Sequence, residues 1–405
     1  MRTDGWDRSF LKASSYLAEP FCGAYGMLRY RLVAPLDPKK FDNCSTKSRE
    51  IGYRILIGAG AGLGLYCLTA APLAVTSGIL ALGAASKLLR AIGFALQKEG
   101  FTYVAGQAPE KELDGPLKIM SWNVCGIGGG FHYDHGGVID WRSRLDGISS
   151  KIEKEDPDVL ILQEVYDAAL GEALIEKLQS RYSHFYFHMG KSAMGSVGGC
   201  MVVSKCAPHR FTNTDFTTND WRLKRGFATL EIKAAPKDRL PVARIIGTHL
   251  IHGDEPKDRA ARVAQVSQIV AHLANQRLRL PTILAGDLNM ERDGKAGEIL
   301  HAHLKHGYTA LQPTCTNRLV SQWEEKAKSV WHETIDYISL FKEKPHLPVI
   351  EKRVRFVECR ISPAYDESYD TKTALSDHQA LVARIDLFSS GKQSNMLSST
   401  ITTTS

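Results

Sequence analysis

The eight cysteines (Cys22, Cys44, Cys67, Cys125, Cys200, Cys206, Cys315 and Cys359) include no CxxC pair and no zinc-ligand spacing. That pattern argues against a zinc ribbon and a dense disulfide framework, and the thiols are expected to be mostly reduced packing residues. Residues 1–19 mix charged and polar side chains without an apolar h-region, so no cleavable secretory signal is expected. Neither an internal repeat nor a block of one charge is present. Lys and Arg exceed Asp and Glu by 51 to 44, a formal charge of +7, but they are spread along the chain. Such a balance favours an anionic partner, either nucleic acid or a lipid surface.

Charge is missing altogether between Arg54 and Lys87, where about 20 apolar residues would suffice to cross a bilayer as helix. Gly58 with Gly62, and Gly60 with Gly64, form two overlapping GxxxG spacings that let helices approach closely. Pro72 lies near the middle of the run, which therefore reads either as one tilted span or as a helical hairpin. The expectation is an integral membrane segment through residues 55–96, and hence a membrane as a partner.

The chain divides accordingly. Residues 1–50 carry no assigned role, 51–98 form the hydrophobic helical unit, 99–116 read as a linker, 117–388 as the catalytic domain, and 389–405 as a Ser/Thr-rich tail. Within 117–388, short runs of strand formers such as LKIMSWNV, DVLILQEV, ARIIGTHL and PTILAGDLN alternate with amphipathic stretches such as RAARVAQVSQIVAHLANQ. An α/β layered domain follows from that order.

Five strand ends carry hard-cation ligands or acid–base groups: Asn123; Glu164; His249; Asp287 with Asn289; and Asp377 with His378. Oxygen donors dominate, as suits Mg²⁺, with Mn²⁺ as the alternative. The two histidines fit proton transfer and charge stabilisation at a phosphate better than zinc ligation. Each position alone has an ordinary structural explanation, and it is their order along the chain that is specific.

SWNV, LQEV, GTHL, GDLN, TIDY and SDH resemble, in order and approximate spacing, the motifs of the endonuclease/exonuclease/phosphatase (DNase I-like) superfamily, over roughly 270 residues. The resemblance implies a four-layer sandwich of two packed mixed β-sheets flanked by helices, here preceded by the N-terminal hydrophobic helical segment. It also implies a metal-dependent phosphodiesterase that attacks a phosphate ester with water. Glu164 is then the principal metal ligand, with Asn123 and Asp377 supporting. His249, Asp287, Asn289 and His378 line the phosphate, and Asp336 accepts a hydrogen bond from the His378 ring. Either Asp287 or His378 could serve as the general base.

Within the superfamily, LILQEVYD, SHFYFHMG, GGCMVVSK, KRGFATLEI and THLIHGDE look most like neutral sphingomyelinases. The expected substrate is a membrane phospholipid of sphingomyelin type losing its phosphorylated headgroup. The alternatives are a nuclease or an inositol phosphate phosphatase. Arg225 of KRGF is a candidate substrate contact. The glycine-rich stretch 126–142, with His132, Asp134 and His135, reads as a loop or substrate lid, and Trp323 and Trp331 as packing residues or interfacial anchors.

Overall fold

The computed structural model describes residues 6, 8–14, 17, 73–97, 99–127, 131–133, 136–138, 140–190, 198–218, 224–276, 280–291, 295–307, 313–316, 332–342, 354–364 and 374–387. Trp323, Trp331, Asp134, His135, the run 55–72 and the tail 389–405 lie outside them.

Alternation along each strand builds two cores at once, because successive side chains point to opposite faces of a sheet. In β2 (Leu117–Asn123), Leu117 and Ile119 join one cluster, while Met120 and Trp122 join another. In β5 (Val159–Gln163) the same split separates Val159 and Ile161 from Leu160 and Leu162. On the second sheet, β10 (Ala243–His249) and β11 (Thr282–Asp287) send Ile245 and Ile283 inward and Ile246 and Leu284 outward. The shared cluster lies between the sheets. Helices cover the two outer faces.

The first sheet has seven strands, with β2 and β5 parallel at its centre. Beside them run β7 (Met201–Ser204), β6 (His184–Phe187) and β1 (Thr102–Ala105) on one side, and β17 (Ala380–Asp386) and β16 (Arg355–Ser362) on the other. The second has six, ordered from β12 (Leu304–His306) through β15 (Asp336–Phe341), β11, β10 and β9 (Gly226–Ile232) to β8 (Pro208–Asp215). At Gly247 in β10 the sheets pack tightly: a Cβ there would sit 2.9 Å from Ile161 Cγ2. Two packed mixed sheets flanked by helices are thus the architecture. β1 arises inside the stretch read as a linker, where Val104 packs into the core and the strand pairs antiparallel with β6.

The first labelled helix, α1 (Leu73–Leu96), overturns the membrane expectation for 55–96. No helix among the described residues is long and apolar enough to cross a membrane. The described helix carries Lys87 and Arg90. Its uncharged part, Leu73 to Ser86, is about 14 residues or roughly 21 Å, against about 30 Å of hydrocarbon.

Instead its second half packs on protein. Ser14 Oγ donates to the Ser86 carbonyl at 2.9 Å, and Ser86 Oγ to the Ser14 carbonyl at 2.9 Å. Phe94 packs against Leu11. Just beyond the helix, Gln97 donates to Thr102 Oγ1 at 3.1 Å and to the His188 carbonyl at 3.2 Å. Arg8 reaches Glu172 of the catalytic domain through two bonds of 3.0 and 2.8 Å.

Two helices cover the first sheet. α2 (Trp141–Glu155) is capped by Asp140, which accepts from Arg142 N at 2.9 Å. α3 (Ala168–Leu178) is capped by Asp167, the aspartate of LQEVYD, which accepts from Ala169 N at 3.0 Å. These caps satisfy N–H groups that the helix itself cannot. The second sheet is covered by α4 (Pro256–Ala274) and adjoined by α5 (Lys295–His303). The glycine-rich stretch after β2 contains a small hairpin, β3 (Phe131–Tyr133) with β4 (Gly136–Val138).

Of the cysteines, Cys125, Cys200, Cys206 and Cys315 are buried and free, and Cys359 is free and partly exposed.

Candidate active site

Strand direction gathers the site. β2 and β5 run parallel, with Asn123 opposite Gln163, so Asn123 and Glu164 leave the first sheet at the same edge. β10 and β11 run parallel with His249 opposite Asp287, and β15 runs antiparallel to β11 so that it begins at Asp336, opposite Asp287. β17 runs antiparallel to β2, which brings Asp377 and His378, just ahead of it, to the same edge. Short strands that stop in polar residues are a rigid mount for side chains facing one cleft. Glu164 (φ 62°) and Asn289 (φ 48°) both adopt the left-handed backbone that ends a strand abruptly. Gly286 has φ 154°, and a Cβ there would lie 1.9 Å from the Thr248 carbonyl oxygen, so GDLN needs its glycine.

Asp287 is held at both oxygens. Asn289 N donates to Oδ1 at 2.8 Å and Asn123 Nδ2 to Oδ2 at 3.0 Å. His249 Nε2 lies 3.5 Å and His378 Nε2 3.8 Å from Oδ2. His378 Nδ1 sits 2.9 Å from Asp336 Oδ2, which fixes the ring and leaves Nε2 toward Asn123 at 3.5 Å. Glu164 Oε1 is 4.0 Å from His249 Nε2, and its side chain keeps 20% exposure, opening on the cleft. Asn289 Nδ2 donates to the Leu250 carbonyl at 3.0 Å, while its Oδ1 meets His252 Nδ1 at 3.1 Å.

Charge crowding shifts these groups. Loss of solvation and then the Asp377 carboxylate raise Glu164 to about 7, and loss of solvation and then Asp336 raise Asp287 to about 6. Burial, with Arg225 beside it, holds His249 well below its ordinary value, so its imidazole is neutral. For His378, burial works downward but is outweighed by Cys315, Asp336, Asp377 and Asp287, which raise it well above the ordinary value. Four carboxylates, Glu164, Asp287, Asp336 and Asp377, converge here with few cations, a donor set that could hold a divalent cation. Asp287, Asp336 and His378 offer ligand atoms within 4.8 Å of one another, as do Cys315, Asp377 and His378. The oxygen donors of Asn123, Glu164 and Asp377 fit a hard cation such as Mg²⁺.

Arg225 is brought to the wall of the site rather than its mouth. It is 7% exposed, donates from Nη2 to Tyr166 Oη at 3.3 Å, and also donates to the Leu250 carbonyl. Tyr166 Oη in turn lies 3.5 Å from His249 Nδ1.

Tyr166 was not among the sequence candidates, although its place two residues after Glu164 could have marked it. Ser376 and Thr314 were missed too. Ser376 Oγ donates to the Asn123 carbonyl at 2.6 Å, and Thr314 Oγ1 accepts from Asp336 N at 3.1 Å. Ser376 stood in the SDH motif without a role, and Thr314 has no local signal. Arg144 also acts across the fold: its guanidinium donates to the carbonyls of Val124 at 2.8 Å and Cys125 at 2.6 Å, and to that of Leu375. It ties the Asn123 strand end to the segment carrying Asp377.

Residues 120–378 match the family described as endonuclease/exonuclease/phosphatase. A 5'-tyrosyl-DNA phosphodiesterase of Caenorhabditis briggsae is 29% identical over 189 residues, covering 45% of this chain and 47% of that protein. The chain thus spans about half the length of the curated relative it matches. Among solved structures, TDP2 of D. rerio complexed with a single-strand DNA product superposes with TM-score 0.50 at 19% identity, covering 67% of this chain and 100% of that one. A beta toxin variant of Staphylococcus aureus with bound magnesium ions also gives TM-score 0.50 at 19% identity, covering 66% of this chain and 99% of that one.

Proposed function

The chain belongs to the endonuclease/exonuclease/phosphatase family, and from that premise we propose that its cleft is a divalent-metal-dependent phosphodiesterase site acting on a sphingomyelin-type phospholipid. The observation that carries the hydrolytic reading is the convergence of Asn123, Glu164, His249, Asp287, Asp336 and His378 from separate strands at one edge. Glu164, Asn123 and Asp377 would hold Mg²⁺ or Mn²⁺, which when bound supplies charge neutralisation at a phosphoryl oxygen.

The protein's own groups do the rest. Asp287, fixed at both oxygens and raised to about 6, takes the proton from the attacking water, since a base is most effective with a pKa near the working pH. His378, oriented by Asp336 and cationic among carboxylates, stabilises charge on the phosphate through Nε2. Neutral His249, backed by Tyr166, and the Asn289 amide orient the ester. Arg225 adds a fixed positive charge behind them that favours an anionic substrate.

The lipid assignment is supported by the LILQEVYD, GGCMVVSK, KRGFATLEI and THLIHGDE segments. A membrane span no longer supports it. A second reading, a DNA 5'-phosphodiester, is favoured by the similarity to the 5'-tyrosyl-DNA phosphodiesterase. Sphingomyelin vesicles and a 5'-tyrosyl oligonucleotide, each incubated with the full chain and Mg²⁺, discriminate them. Phosphocholine release that disappears in Glu164→Gln is the expected result. Hydrolysis of the oligonucleotide alone transfers the site to DNA, and hydrolysis of neither removes the proposal.

A further inference from the structure

We propose that Cys315, Asp377 and His378 form a binding site for a thiolate-seeking divalent cation, with zinc as its reference member, and that occupancy of this site shuts down hydrolysis. Cys315 belongs to β13 (Cys315–Thr316), which pairs with β14 (His332–Glu333), and its backbone also forms an antiparallel bridge to His378. Gln379 N donates to the Thr314 carbonyl at 2.7 Å, which fixes that register. The thiol therefore stands against the imidazole.

One sulfur, one carboxylate oxygen and one ring nitrogen lie within 4.8 Å of one another. All three residues are buried, at 3%, 5% and 5% exposure. Ligand atoms round a tetrahedral zinc are roughly 3.5 Å apart, so closing on the ion takes movements of about 1 Å and leaves a fourth position open.

The donor sets sort the cations. Glu164, Asn123 and Asp377 offer only oxygen, which suits Mg²⁺, whereas replacing two oxygens by sulfur and nitrogen favours zinc over magnesium. Burial pushes the Cys315 thiol up to about 12, but a coordinating thiol is deprotonated outright, and its proton leaves to solvent as the metal binds. The ion would engage two groups of the hydrolytic site, the Asp377 carboxylate and a His378 ring nitrogen that must become a neutral lone pair. The inhibitory half of the proposal rests on the proposed hydrolysis, and the binding half does not.

Cobalt(II) titrated into the metal-stripped full chain, with magnesium in excess, tests binding without any turnover. The expected result is a near-ultraviolet thiolate-to-cobalt band that zinc abolishes. The band should be missing from Cys315→Ser and Cys315→Ala and kept in Cys125→Ser. No band in the wild type, or a band surviving in both Cys315 variants, overturns the site. Should both variants fail to fold, X-ray absorption on the zinc-loaded wild-type chain decides instead. One sulfur at about 2.3 Å beside nitrogen and oxygen supports the site, and a shell of nitrogen and oxygen alone overturns it.

For inhibition, Cys315→Ser is read against its own Mg²⁺-dependent rate without zinc. It should need at least about tenfold more zinc for half inhibition, since even outer-shell partners matter by that much. Equal zinc sensitivity in the two proteins overturns the inhibitory half. A chain that shows the band but hydrolyses nothing refutes the function proposed above and leaves the metal site standing.

Discussion

Adding Mg²⁺ should stabilise this protein strongly at pH 8 and hardly at all at pH 5. Glu164 rises from its ordinary 4.5 to about 7 through loss of solvation and the nearby Asp377. A carboxyl group whose folded pKa is raised favours the folded state while protonated. Its contribution is therefore full below about pH 4.5 and is lost as pH climbs through 7. At about 1.4 kcal/mol per pKa unit, the metal-free chain gives up at most about 3.5 kcal/mol over that window. A cation bound only by the native state restores stability by RT ln(1 + [L]/Kd), about 2.7 kcal/mol at a hundredfold excess over Kd.

At pH 5 about 1% of such a group is ionised, the apparent affinity drops roughly a hundredfold, and the gain shrinks to about 0.4 kcal/mol. For a unit of this size, near 2 °C per kcal/mol, the melting temperature should rise about 5 °C at pH 8 and about 1 °C at pH 5. Differential scanning fluorimetry with and without Mg²⁺ measures both, and Glu164→Gln should show neither rise. Equal shifts at the two pH values, or an undiminished shift in Glu164→Gln, would refute the assignment of this carboxylate to the cation.

His378→Ala and Asp287→Ala should each lower kcat by at least about two orders of magnitude, the scale of a positioned acid–base group. Asp336→Asn should do less harm than His378→Ala because it disturbs the 2.9 Å orienting bond and the charge beside Asp287 and His378 without removing a reacting group, and steady-state rates that rank Asp336→Asn worst would reverse the roles. Arg144→Lys should destabilise the chain by about 2–4 kcal/mol in urea denaturation, since a single ammonium cannot serve the carbonyls of Val124, Cys125 and Leu375 together. An unchanged midpoint would show that this clamp is unimportant.

Part of the site edge was legible in the sequence because Asn123, Glu164, His249 and Asp287 each close a short run of strand formers, whereas Asp336 and Asp377 with His378 stand at the start of or just ahead of β15 and β17. Asn123, His249 and Asp287 could be found from their own neighbours in this way. Thr314 and Ser376 could not be assigned roles, since what they do depends on hydrogen bonds to Asp336 N and the Asn123 carbonyl that only the fold creates. Arg144 reads as one more cation on an amphipathic helix until its three carbonyl partners are seen.

The membrane reading failed because an uncharged run was counted without regard to the charges and protein contacts at its end. Lys87 and Arg90 fall inside α1, and Ser86 pairs with Ser14 rather than facing lipid. β1 was hidden in a polar context, with only four residues of strand whose pairing with β6 is a long-range event.

The claim at the centre of this account is that water attacks phosphorus in a cleft assembled from Glu164, Asp287 and His378. Turnover of sphingomyelin by the full chain with Mg²⁺ in water enriched in heavy oxygen, followed by mass spectrometry of both products, tests it most directly. The account predicts a single heavy oxygen atom in the released phosphomonoester, none in the lipid alcohol, and no labelled product from Asp287→Asn. Label in the alcohol, or undiminished labelling of the phosphate by Asp287→Asn, would contradict it.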